Sequence, residues 1–487
     1  MKFIIPKEIS YVPETLKKNG FEAYLVGGCV RDLVMGKKPK DWDVTTNAKP
    51  EQIQKLFPET FYENEYGTVG VVNKTEDETL KVTEVTPYRL ETKYSDKRRP
   101  DSVTWSEKLE EDLRRRDFTI NALAYDIETK KLVDLFEGQE DIKNKLVRAV
   151  GVPRERFDED ALRMMRAVRF ATELGFTIEE KTSVAIKQSA KNLKEIAVER
   201  IQTEFNKIIL SDGPMAGITI LHEHALLAYI MPEVEEGIKI EQNGDHIYDV
   251  WEHNLRALQH AANSGWTLHV RLAALLHDIS KPETRIWSKE KNDWTFYGHD
   301  VVGGRCAKKI LARLKYANDM IDCVSKLVRW HLFFSDIDKI TLSAVRRLVR
   351  NVGPENVWDL MKVRACDRIG MGRPKEKPYR LRKYESMIEE AVRAPVSVSM
   401  LKINGGAIMQ ITEEKPGPRL GFILHALLEE VLDEPKRNTK EYLEKRATEL
   451  SKYSDAELQK IGEAGKKKKQ EEEEREVTEI RKRHFVK

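Results

Sequence analysis

The sequence predicts an α+β protein, with a mixed α/β part at its N-terminus and helices over most of the remaining chain. Short β-rich runs separated by turns fill residues 1–145, and the apolar run at residues 23–26 is one of them. From about Val147 onward, apolar residues recur at spacings of three and four, which is typical of amphipathic helices. One such series comprises Leu162, Met165, Val168 and Ala171.

Length and composition narrow the class of protein. The 487 residues are enough for roughly three domains of ~150 residues. Charged residues make up 34%, but the net charge is only +3, so any contact with nucleic acid must use a local basic surface. Four scattered cysteines form no CxxC pair, which favours neither a disulfide framework nor a cysteine zinc site. With no signal peptide and no apolar run near ~18 residues, we expect a cytoplasmic enzyme without a membrane contact.

The first element with a chemical signature is LVGGCVRD at residues 25–32. Residues 23–26 predict a strand, which Gly27 and Gly28 end. Glycines let the backbone approach a phosphate chain closely. The helix predicted to follow offers unpaired N–H groups to an anion at its start. The segment therefore predicts a phosphate-binding turn.

The next element is KDWD at residues 40–43, which carries Asp41 and Asp43. In a strand, residues two apart point to the same side, so the two carboxylates are expected to converge. Mg²⁺ commonly binds through one or two carboxylates together with substrate phosphates. A surface turn with a solvated DxD is the alternative. The order and spacing of the glycines and aspartates favour nucleotidyl transfer.

A third element, DLRRRDFTINA at residues 112–122, contains three adjacent arginines. Such crowding is unfavourable unless anions compensate it, and a triphosphate or an RNA phosphate matches the fork geometry of arginine. Asp117 and Asn121 are suited to hydrogen bonds with ribose hydroxyls. The alternative is a basic helix start held by structural salt bridges.

A fourth element, residues 157–170, places Asp160 and Arg163 three apart, on one face of a predicted helix. Cytosine and adenine both present an amine beside an unprotonated ring nitrogen, so the carboxylate can accept from the amine while the guanidinium donates to the ring. Uracil and guanine would set a carbonyl against the carboxylate, and such mismatches discriminate strongly. An ordinary ion pair between these two residues is the alternative.

Taken in order, these motifs resemble the class II CCA-adding tRNA nucleotidyltransferases, a family that includes bacterial poly(A) polymerases. The similarity also takes in residues 94–100, which resemble the family's flexible loop, and it extends to about residue 210. The resemblance implies a nucleotidyltransferase head followed by a helical neck.

The resemblance also implies roles for individual residues. Asp41 and Asp43 would hold the catalytic Mg²⁺, and Glu84 is a weaker candidate for a third carboxylate, for which we expect a structural role. The implied nucleotide-binding residues are Gly27, Gly28, Arg31, Arg116, Asp117, Asn121, Asp160, Arg163, Arg166 and Arg169. In the implied reaction, the 3′-hydroxyl of an RNA attacks the α-phosphate of CTP or ATP.

A separate histidine pattern lies between residues 246 and 367. It consists of His253, His277, Asp278, His299, His331 and Asp367. Imidazole and carboxylate together suit transition metals or Mg²⁺, and His277-Asp278 ends an apolar helix at residues 272–276. The set resembles the HD phosphohydrolase superfamily, with Ser280 where many members have glycine. The resemblance implies a divalent metal of unspecified identity that acts on phosphoesters, such as cyclic phosphates or phosphate ends of damaged tRNA. A degenerate, structural HD domain is the alternative.

The predicted domains follow from these patterns and from breaks in composition. They are a head (1–145), a neck (146–235), an HD domain (236–370), a helical tRNA-binding tail (371–460) and a charged extension (461–487). In the tail, the turn at residues 416–418 is expected to open a helix whose positive end is suited to a tRNA phosphate. The alternative is a tight loop between packed helices. We expect the extension to be exposed or frayed, with its opposite charges paired along a solvated helix.

The predicted function is template-independent addition of C, C and A to the 3′ end of tRNA, from CTP and ATP and with no obligate protein partner. Sibling enzymes that add only A, only CC or poly(A) share every motif, although the intact loop at residues 94–100 argues against a CC-only enzyme. The sequence also leaves open an HD phosphohydrolase with a vestigial head and a non-catalytic RNA-binding protein.

Overall fold

The computed structural model describes residues 2–62, 67–91, 103–244, 246–332, 340–393 and 398–486. The segment at residues 94–100 that resembles the family's flexible loop lies outside this range. The chain forms two units, one of Met1–His331 with Lys362–Pro374, the other of Leu332–Met361 with Lys375–Lys487. Within the described ranges, no helix is both long and apolar enough to cross a membrane.

The first unit begins with a mixed sheet, as the β-rich runs predict. Its strands are β1 (Ala23–Val26), β2 (Trp42–Thr46), β3 (Thr60–Tyr62), β4 (Val69–Val72), β5 (Val82–Pro87), β8 (Leu123–Tyr125) and β9 (Leu132–Asp134); β6 (Arg89–Glu91) and β7 (Val103–Trp105) pair separately. The seven strands lie in the order β3-β4-β5-β2-β1-β8-β9, and β2 and β5 are parallel while the other neighbours are antiparallel. The predicted strand at residues 23–26 is confirmed.

Helices surround this sheet and continue into a helical neck. The helices of the sheet region are α1 (Lys7–Lys18), α2 (Gly28–Val34), α3 (Pro50–Leu56), α4 (Leu109–Arg114) and α5 (Gly138–Lys143). The neck contains α6 (Pro153–Glu159), α7 (Leu162–Leu174), α8 (Glu180–Ser189), α9 (Val198–Leu210), α10 (Pro214–Glu223), α11 (Leu227–Ile230) and α12 (Pro232–Glu235), with β10 (Leu146–Val147) and β11 (Thr177–Ile178) as a parallel pair. The series Leu162, Met165, Val168 and Ala171 is buried on α7, which confirms the helical spacing.

The first unit ends in a helical region that holds the histidines. Its elements are α13 (Val250–Asn263), α14 (Leu268–Leu276), α15 (Lys281–Thr284), the hairpin β12 (Ile286–Ser288) and β13 (Asp293–Thr295), α16 (His299–Arg313) and α17 (Asn318–Trp330). Helix α14 is buried over most of its length, and it ends just before His277, as predicted. The four cysteines of the chain are free thiols.

The second unit is helical. It contains α18 (Leu342–Val352), the first part of α19 (Val357–Gly370), α20 (Tyr379–Val392), α21 (Gly405–Thr412), α22 (Pro418–Asp433), α23 (Lys440–Leu450) and α24 (Asp455–Arg483). Pro418 stands at the start of α22, which confirms that the Pro-Gly-Pro turn opens a helix. Buried aliphatic side chains of α21, α22 and α23, such as Ile408, Leu427 and Leu443, form its core.

The C-terminal extension is helical and most of its described residues are exposed, which confirms the expected solvated helix, but it is not frayed. It belongs to helix α24, which begins with a Ser454–Glu457 capping box. Gly462 and Gly465 allow the backbones of α24 and α22 to approach closely, because a Cβ on either would collide with α22. Near its other end, Arg481 contacts Glu390 at 3.1 Å on α20. Exposed side chains occur along the whole helix, and among them Lys467 and Glu471 form a pair at 3.8 Å.

Candidate active site and metal centre

The turn between β1 and α2 brings the glycine motif against the aspartate motif. Gly27 has φ +79°, a conformation that favours glycine. A Cβ on Gly27 would lie 3.1 Å from Arg116 Nη1 and 3.4 Å from Asp43 Oδ2. Gly28 then opens α2, and its Cβ position lies 3.7 Å from Arg31 Nη2. The absent side chains therefore leave a small cradle bounded by a carboxylate and two guanidinium groups.

The two aspartates differ in environment. Asp43 lies on β2 and is partly buried, whereas Asp41 just precedes the strand and is exposed. Burial raises the pKa of the Asp43 carboxyl, Arg116 lowers it and Asp41 raises it, and the result is a pKa of about 6. Two carboxylates that repel each other in this way fit a divalent cation, which would remove the repulsion.

Glu84 stands beside Asp43 in the sheet. The parallel pairing of β2 with β5 makes Asp43 and Glu84 register partners, so both side chains point to the same face. Glu84 is exposed. Its place in the sheet is therefore next to the aspartate pair, a proximity that the sequence could not reveal because 41 residues separate the two positions.

An internal carboxylate compensates two of the three adjacent arginines. Asp112 is fully buried on α4, and it accepts hydrogen bonds from Arg115 Nη2 at 2.5 Å and from Arg116 Nη2 at 3.0 Å. It also accepts one from Thr45 Oγ1 at 3.2 Å. Burial raises the pKa of Asp112, but the two arginines more than offset it and hold the pKa below its usual range. Asp112 is thus a site residue that sequence reasoning missed, although its i, i+3 and i, i+4 spacing to the arginines was a signal.

Asp117 and Asn121 each accept a hydrogen bond from an arginine. Asp117 accepts from Arg166 Nε at 2.7 Å and from the Phe118 N–H at 2.8 Å. Burial raises the pKa of Asp117, but Arg166 and Arg163 lower it to about 2. Asn121 Oδ1 accepts from Arg31 Nη1 at 2.8 Å. Asn121 also donates to Asp117 at 3.4 Å, so Arg31, Asn121, Asp117 and Arg166 form one connected polar network.

Asp160 and Arg163 lie close together in the chain but are not an ion pair in the structure. Asp160 accepts from Arg200 Nη2 at 2.7 Å, and Arg163 Nη1 donates to Glu159 Oε2 at 2.8 Å. The expectation that both lie on one helix needs correction, because Asp160 ends α6 with φ −144° and ψ 104° and precedes α7. Its Oδ1 caps the Leu162 N–H at 3.0 Å, which fixes the carboxylate at the start of α7.

Arg169 has a different environment from the rest of the predicted set. Its guanidinium is buried and contacts Glu204 Oε2 at 3.0 Å, across to α9. It also lies 4.4 Å from the centroid of the Phe170 ring. Arg166, one turn earlier on α7, contacts Asp117 of the head. The two arginines thus tie α7 to α9 and to the head.

The six residues of the histidine pattern converge on one buried centre. His253, His277, Asp278 and Asp367 form one group of possible metal ligands, and Asp278, His299 and His331 form a second. Asp278 belongs to both groups. Its Oδ2 lies 3.0 Å from His253 Nε2, and its Oδ1 lies 3.2 Å from His299 Nε2 and 3.4 Å from His331 Nε2.

Hydrogen bonds at the opposite ring nitrogens decide how three imidazoles face this centre. The Nδ1 atoms of His277, His299 and His331 lie 2.8, 2.6 and 2.7 Å from the carbonyl oxygens of Ala274, Phe296 and Val328. A carbonyl only accepts, so each Nδ1 donates, and in its neutral form each ring turns an Nε2 lone pair toward the carboxylates. Lone pairs that face carboxylates across 3.2–3.7 Å repel each other unless a cation lies between them. The donor set therefore fits one or two divalent metals.

The pKa shifts of the histidines in the metal-free centre agree with a site that requires positive charge. Burial lowers the pKa of His253 and His331. Burial also opposes a charge on His277, but Asp278 and Asp367 raise its pKa to about 10. Lys281, which sequence reasoning did not include, places Nζ 2.6 Å from Asp278 Oδ2 and 2.5 Å from Gln242 Oε1.

Two further residues, His246 and Ser280, lie at this centre. The ring of His246 packs edge-on against His253 with 4.9 Å between centroids, and its Nδ1 is buried without a partner in the described part of the chain. Ser280, where many HD proteins have glycine, adopts φ −100° and ψ 10°. A serine takes this conformation without strain, so the substitution leaves the ligands in place.

Known protein families match the same three regions. The family described as "Poly A polymerase head domain" matches residues 23–148. The family described as "Probable RNA and SrmB- binding site of polymerase A" matches residues 175–238. The HD domain family matches residues 250–372, which include all six metal-ligand candidates.

Full-length relatives and a solved structure are similar over most of the chain. A CCA-adding enzyme of Enterococcus faecalis is 35% identical over 442 residues, which are 90% of this chain and 94% of the relative. One of Lactiplantibacillus plantarum is 34% identical over 424 residues, 86% and 90% of the two chains. The crystal structure of the Bacillus stearothermophilus CCA-adding enzyme in complex with CTP has a TM-score of 0.59 at 28% identity, covering 91% of this chain and 98% of that one.

Proposed function

Because the chain belongs to the family of CCA-adding enzymes, we propose how its own residues carry out the family's reaction. The chain is a tRNA nucleotidyltransferase that adds C, C and A to the 3′ end of tRNA from CTP and ATP and releases pyrophosphate. The observation that carries the site assignment is that Arg116 Nη1 and Asp43 Oδ2 both lie within 3.4 Å of the position that a Cβ on Gly27 would take. It joins the glycine turn, the aspartate pair and the arginine motif in one place.

We assign the catalytic metal of the head to Asp41 and Asp43, with Glu84 beside them in the sheet, and we propose that it is Mg²⁺. When bound, the metal polarises the attacking 3′-hydroxyl and stabilises the pyrophosphate that leaves. Arg31 and Arg116 lie at the glycine turn, where their guanidinium groups neutralise triphosphate oxygens. The two glycines let the backbone come within contact distance of those oxygens. Positioning and charge compensation are thus the main contributions of the protein.

Base selection is assigned to Asp160 and Arg163. The Asp160 carboxylate accepts from the exocyclic amine of cytosine or adenine, and Arg163 donates to the adjacent ring nitrogen. Asp160 and Arg163 can both contact a base because they do not pair with each other. Asp160 pairs with Arg200, and Arg163 pairs with Glu159. A uracil would leave the carboxylate facing a carbonyl, an unpaired buried polar contact that discriminates strongly.

The decisive experiment supplies tRNA that ends before CCA with CTP and ATP, separately and together, and sequences the product ends. Addition of CC with CTP alone and of CCA with both nucleotides supports the assignment, whereas A alone or a poly(A) tail would identify a sibling enzyme. Asp41→Ala should abolish CTP incorporation. If Asp41→Ala keeps full incorporation, the assignment of the catalytic metal site to Asp41 and Asp43 is overturned.

For the HD domain we propose a second activity, the hydrolysis of phosphoesters at tRNA ends, including cyclic phosphates. His253, His277, Asp278, His299, His331 and Asp367 would hold the metal, which when bound supplies a nucleophilic water. Asp278→Ala should abolish release of phosphate from a tRNA with a 3′-terminal phosphate and keep CTP incorporation. A wild-type protein that releases no phosphate with any divalent metal would make the HD domain structural.

The domain boundaries of head (1–145), neck (146–235), HD domain (236–370) and tRNA-binding tail (371–460) are part of this proposal, and the matched family ranges support the first three. A cytoplasmic location is also part of it, supported by four free cysteines and by a tRNA substrate.

A further inference from the structure

The Phe170 ring lies where three arginines of the head and neck meet. The guanidinium carbons of Arg31, Arg166 and Arg169 lie over this ring, 5.5, 5.5 and 4.4 Å from its centroid. The ring itself is only 6% exposed. Phe118, from the arginine motif, meets it edge-on with 5.7 Å between centroids. One aromatic side chain of α7 therefore contacts the helix that follows the glycine turn, the arginine motif and its own helix.

Each of the three guanidinium groups also has a polar partner on a different element. Arg31 donates to Asn121 Oδ1 at 2.8 Å, Arg166 contacts Asp117 and Arg169 contacts Glu204. The three partners lie on different elements, and the ring is what the three cations have in common. Three cations around one point repel one another, and the negative face of an aromatic ring is a neutral group that attracts them.

We propose that Phe170 is a positioning residue for the nucleotide triphosphate, acting through Arg31. The inference rests on the proposed role of Arg31 at the triphosphate. Arg31 lies on the short helix α2, four residues after Gly27, and its side chain is 12% exposed and paired with Asp32 at 2.7 Å. A largely desolvated guanidinium gains more from an aromatic face than an exposed one does. Asp32, which accepts from Arg31 Nε at 2.9 Å and from Nη2 at 2.7 Å, fixes the guanidinium from one side, and Asn121 and the ring complete its orientation before a nucleotide binds, which lowers the ordering cost of binding.

Base selection should be separate from this arrangement. Arg163 takes its partners from Glu159 and the Arg115 carbonyl, and Asp160 takes its partner from Arg200. Phe170 is thus expected to affect CTP and ATP equally. It should leave the discrimination against UTP unchanged, whereas a general loosening of the site would reduce it.

The test uses the full-length protein and equilibrium binding of CTP and ATP, with steady-state kinetics beside it. Phe170→Leu keeps apolar volume and removes the aromatic face, and it should raise the dissociation constants of both nucleotides by about threefold to thirtyfold. The turnover number should stay within about twofold. If Phe170→Leu does not fold, Phe170→Met fills the same space without a ring. Phe170→Tyr, which keeps the ring face, should restore tight binding.

A double-mutant cycle with Arg31→Gln separates this inference from the assignment on which it rests. If Phe170 acts through Arg31, Phe170→Leu has no further effect on CTP binding in the Arg31→Gln background. Arg31→Gln that weakens binding while Phe170→Leu does not would overturn the inference and keep the role of Arg31. Arg31→Gln with wild-type binding would remove Arg31 from the triphosphate and overturn both.

Phe205→Leu is the matched control for packing. Phe205 is a fully buried phenylalanine on α9 of the same neck, and no arginine lies over its ring among the described residues. Its replacement should lower the thermal midpoint and leave the CTP dissociation constant unchanged. If Phe205→Leu weakens CTP binding as much as Phe170→Leu does, both effects come from packing and the inference fails.

Discussion

The Asp160 carboxylate is held by Arg200, with Oδ2 2.7 Å from Arg200 Nη2, although Arg163 is its neighbour in the proposed base-selecting pair. Asp160 Oδ1 accepts from the Leu162 N–H at 3.0 Å and from Arg200 Nη1 at 3.4 Å. A carboxylate offers about four acceptor positions, so these three contacts leave room for one base amine. Arg200 therefore orients the template carboxylate without occupying it fully.

Removing Arg200 should relax base selection. Arg200→Gln takes away a charge-assisted contact, and we expect kcat/KM for CTP and ATP to fall about tenfold. The ratio of CTP to UTP incorporation should fall as well, because the carboxylate can then rotate. Arg154→Gln is the control, since Arg154 is 73% exposed and 3.9 Å from Asp158. An unchanged CTP-to-UTP ratio in Arg200→Gln would show that Leu162 alone fixes Asp160.

Asp112 should be important for stability as well as for the site. Asp112→Asn removes the charge that compensates Arg115 and Arg116, and breaking a buried pair of this kind costs about 3–5 kcal/mol. Urea unfolding should show the loss as a lower midpoint. Asp77→Asn, an exposed carboxylate that pairs with Lys38 at 3.4 Å, should change the midpoint little. A loss below about 1 kcal/mol in Asp112→Asn would show that solvent compensates the two arginines.

The affinity of the head for metal should depend on pH through Asp43. Its pKa is about 6, above the ordinary 3.8, so ionisation destabilises the metal-free fold as the pH rises from 3.8 to about 6. A metal binds the ionised form, so the apparent Mg²⁺ affinity should fall by about tenfold per pH unit below 6 and level off above it. The measurement is the Mg²⁺ dependence of CTP incorporation between about pH 5 and about pH 8, a range that spans this pKa. A flat Mg²⁺ requirement across this range would contradict the raised pKa.

Metal binding at the HD centre should stabilise the protein directly. The ligands are buried and pre-oriented, so Mn²⁺ at about 100 times its dissociation constant should add about 2.7 kcal/mol to the free energy of unfolding of the metal-free protein. Asp278→Asn, which removes the carboxylate shared by both ligand groups, should abolish the increase in the thermal midpoint. Asp41→Asn should retain it. Equal shifts in all three proteins would mean that Mn²⁺ binds elsewhere.

The contact between α22 and α24 should depend on the absence of one Cβ. Gly465→Ala would drive a methyl group into the backbone carbonyl of His425, and we expect a loss of about 1–3 kcal/mol. Gly421→Ala on α22 is the matched control, because nothing lies within 4 Å of its Cβ position. It should stabilise the protein by about 0.5–1 kcal/mol, as replacing a helical glycine does. Thermal unfolding of both variants distinguishes a tight helix contact from a loose one.

Local patterns made much of this protein predictable from its sequence. The strand at residues 23–26, the helical series on α7, the helix that ends at His277 and the helix opened by Pro418 each follow from spacing and turn residues that act within a few positions. The six residues of the HD pattern also come together as expected, because their type and order are specific to metal chemistry.

Tertiary structure alone decided which partners these side chains take. The sequence could suggest that three arginines need anions, but only the fold shows that the buried Asp112 compensates two of them. It could pair Asp160 with Arg163, but the chain bends between α6 and α7 and brings Arg200 of α9 to Asp160. The sequence shows that residues 461–487 are charged, but it does not show that Gly462 and Gly465 let this helix pack closely against α22. Hydrogen bonds, ion pairs and close backbone contacts depend on distances across space, and a one-dimensional pattern encodes only those between near neighbours.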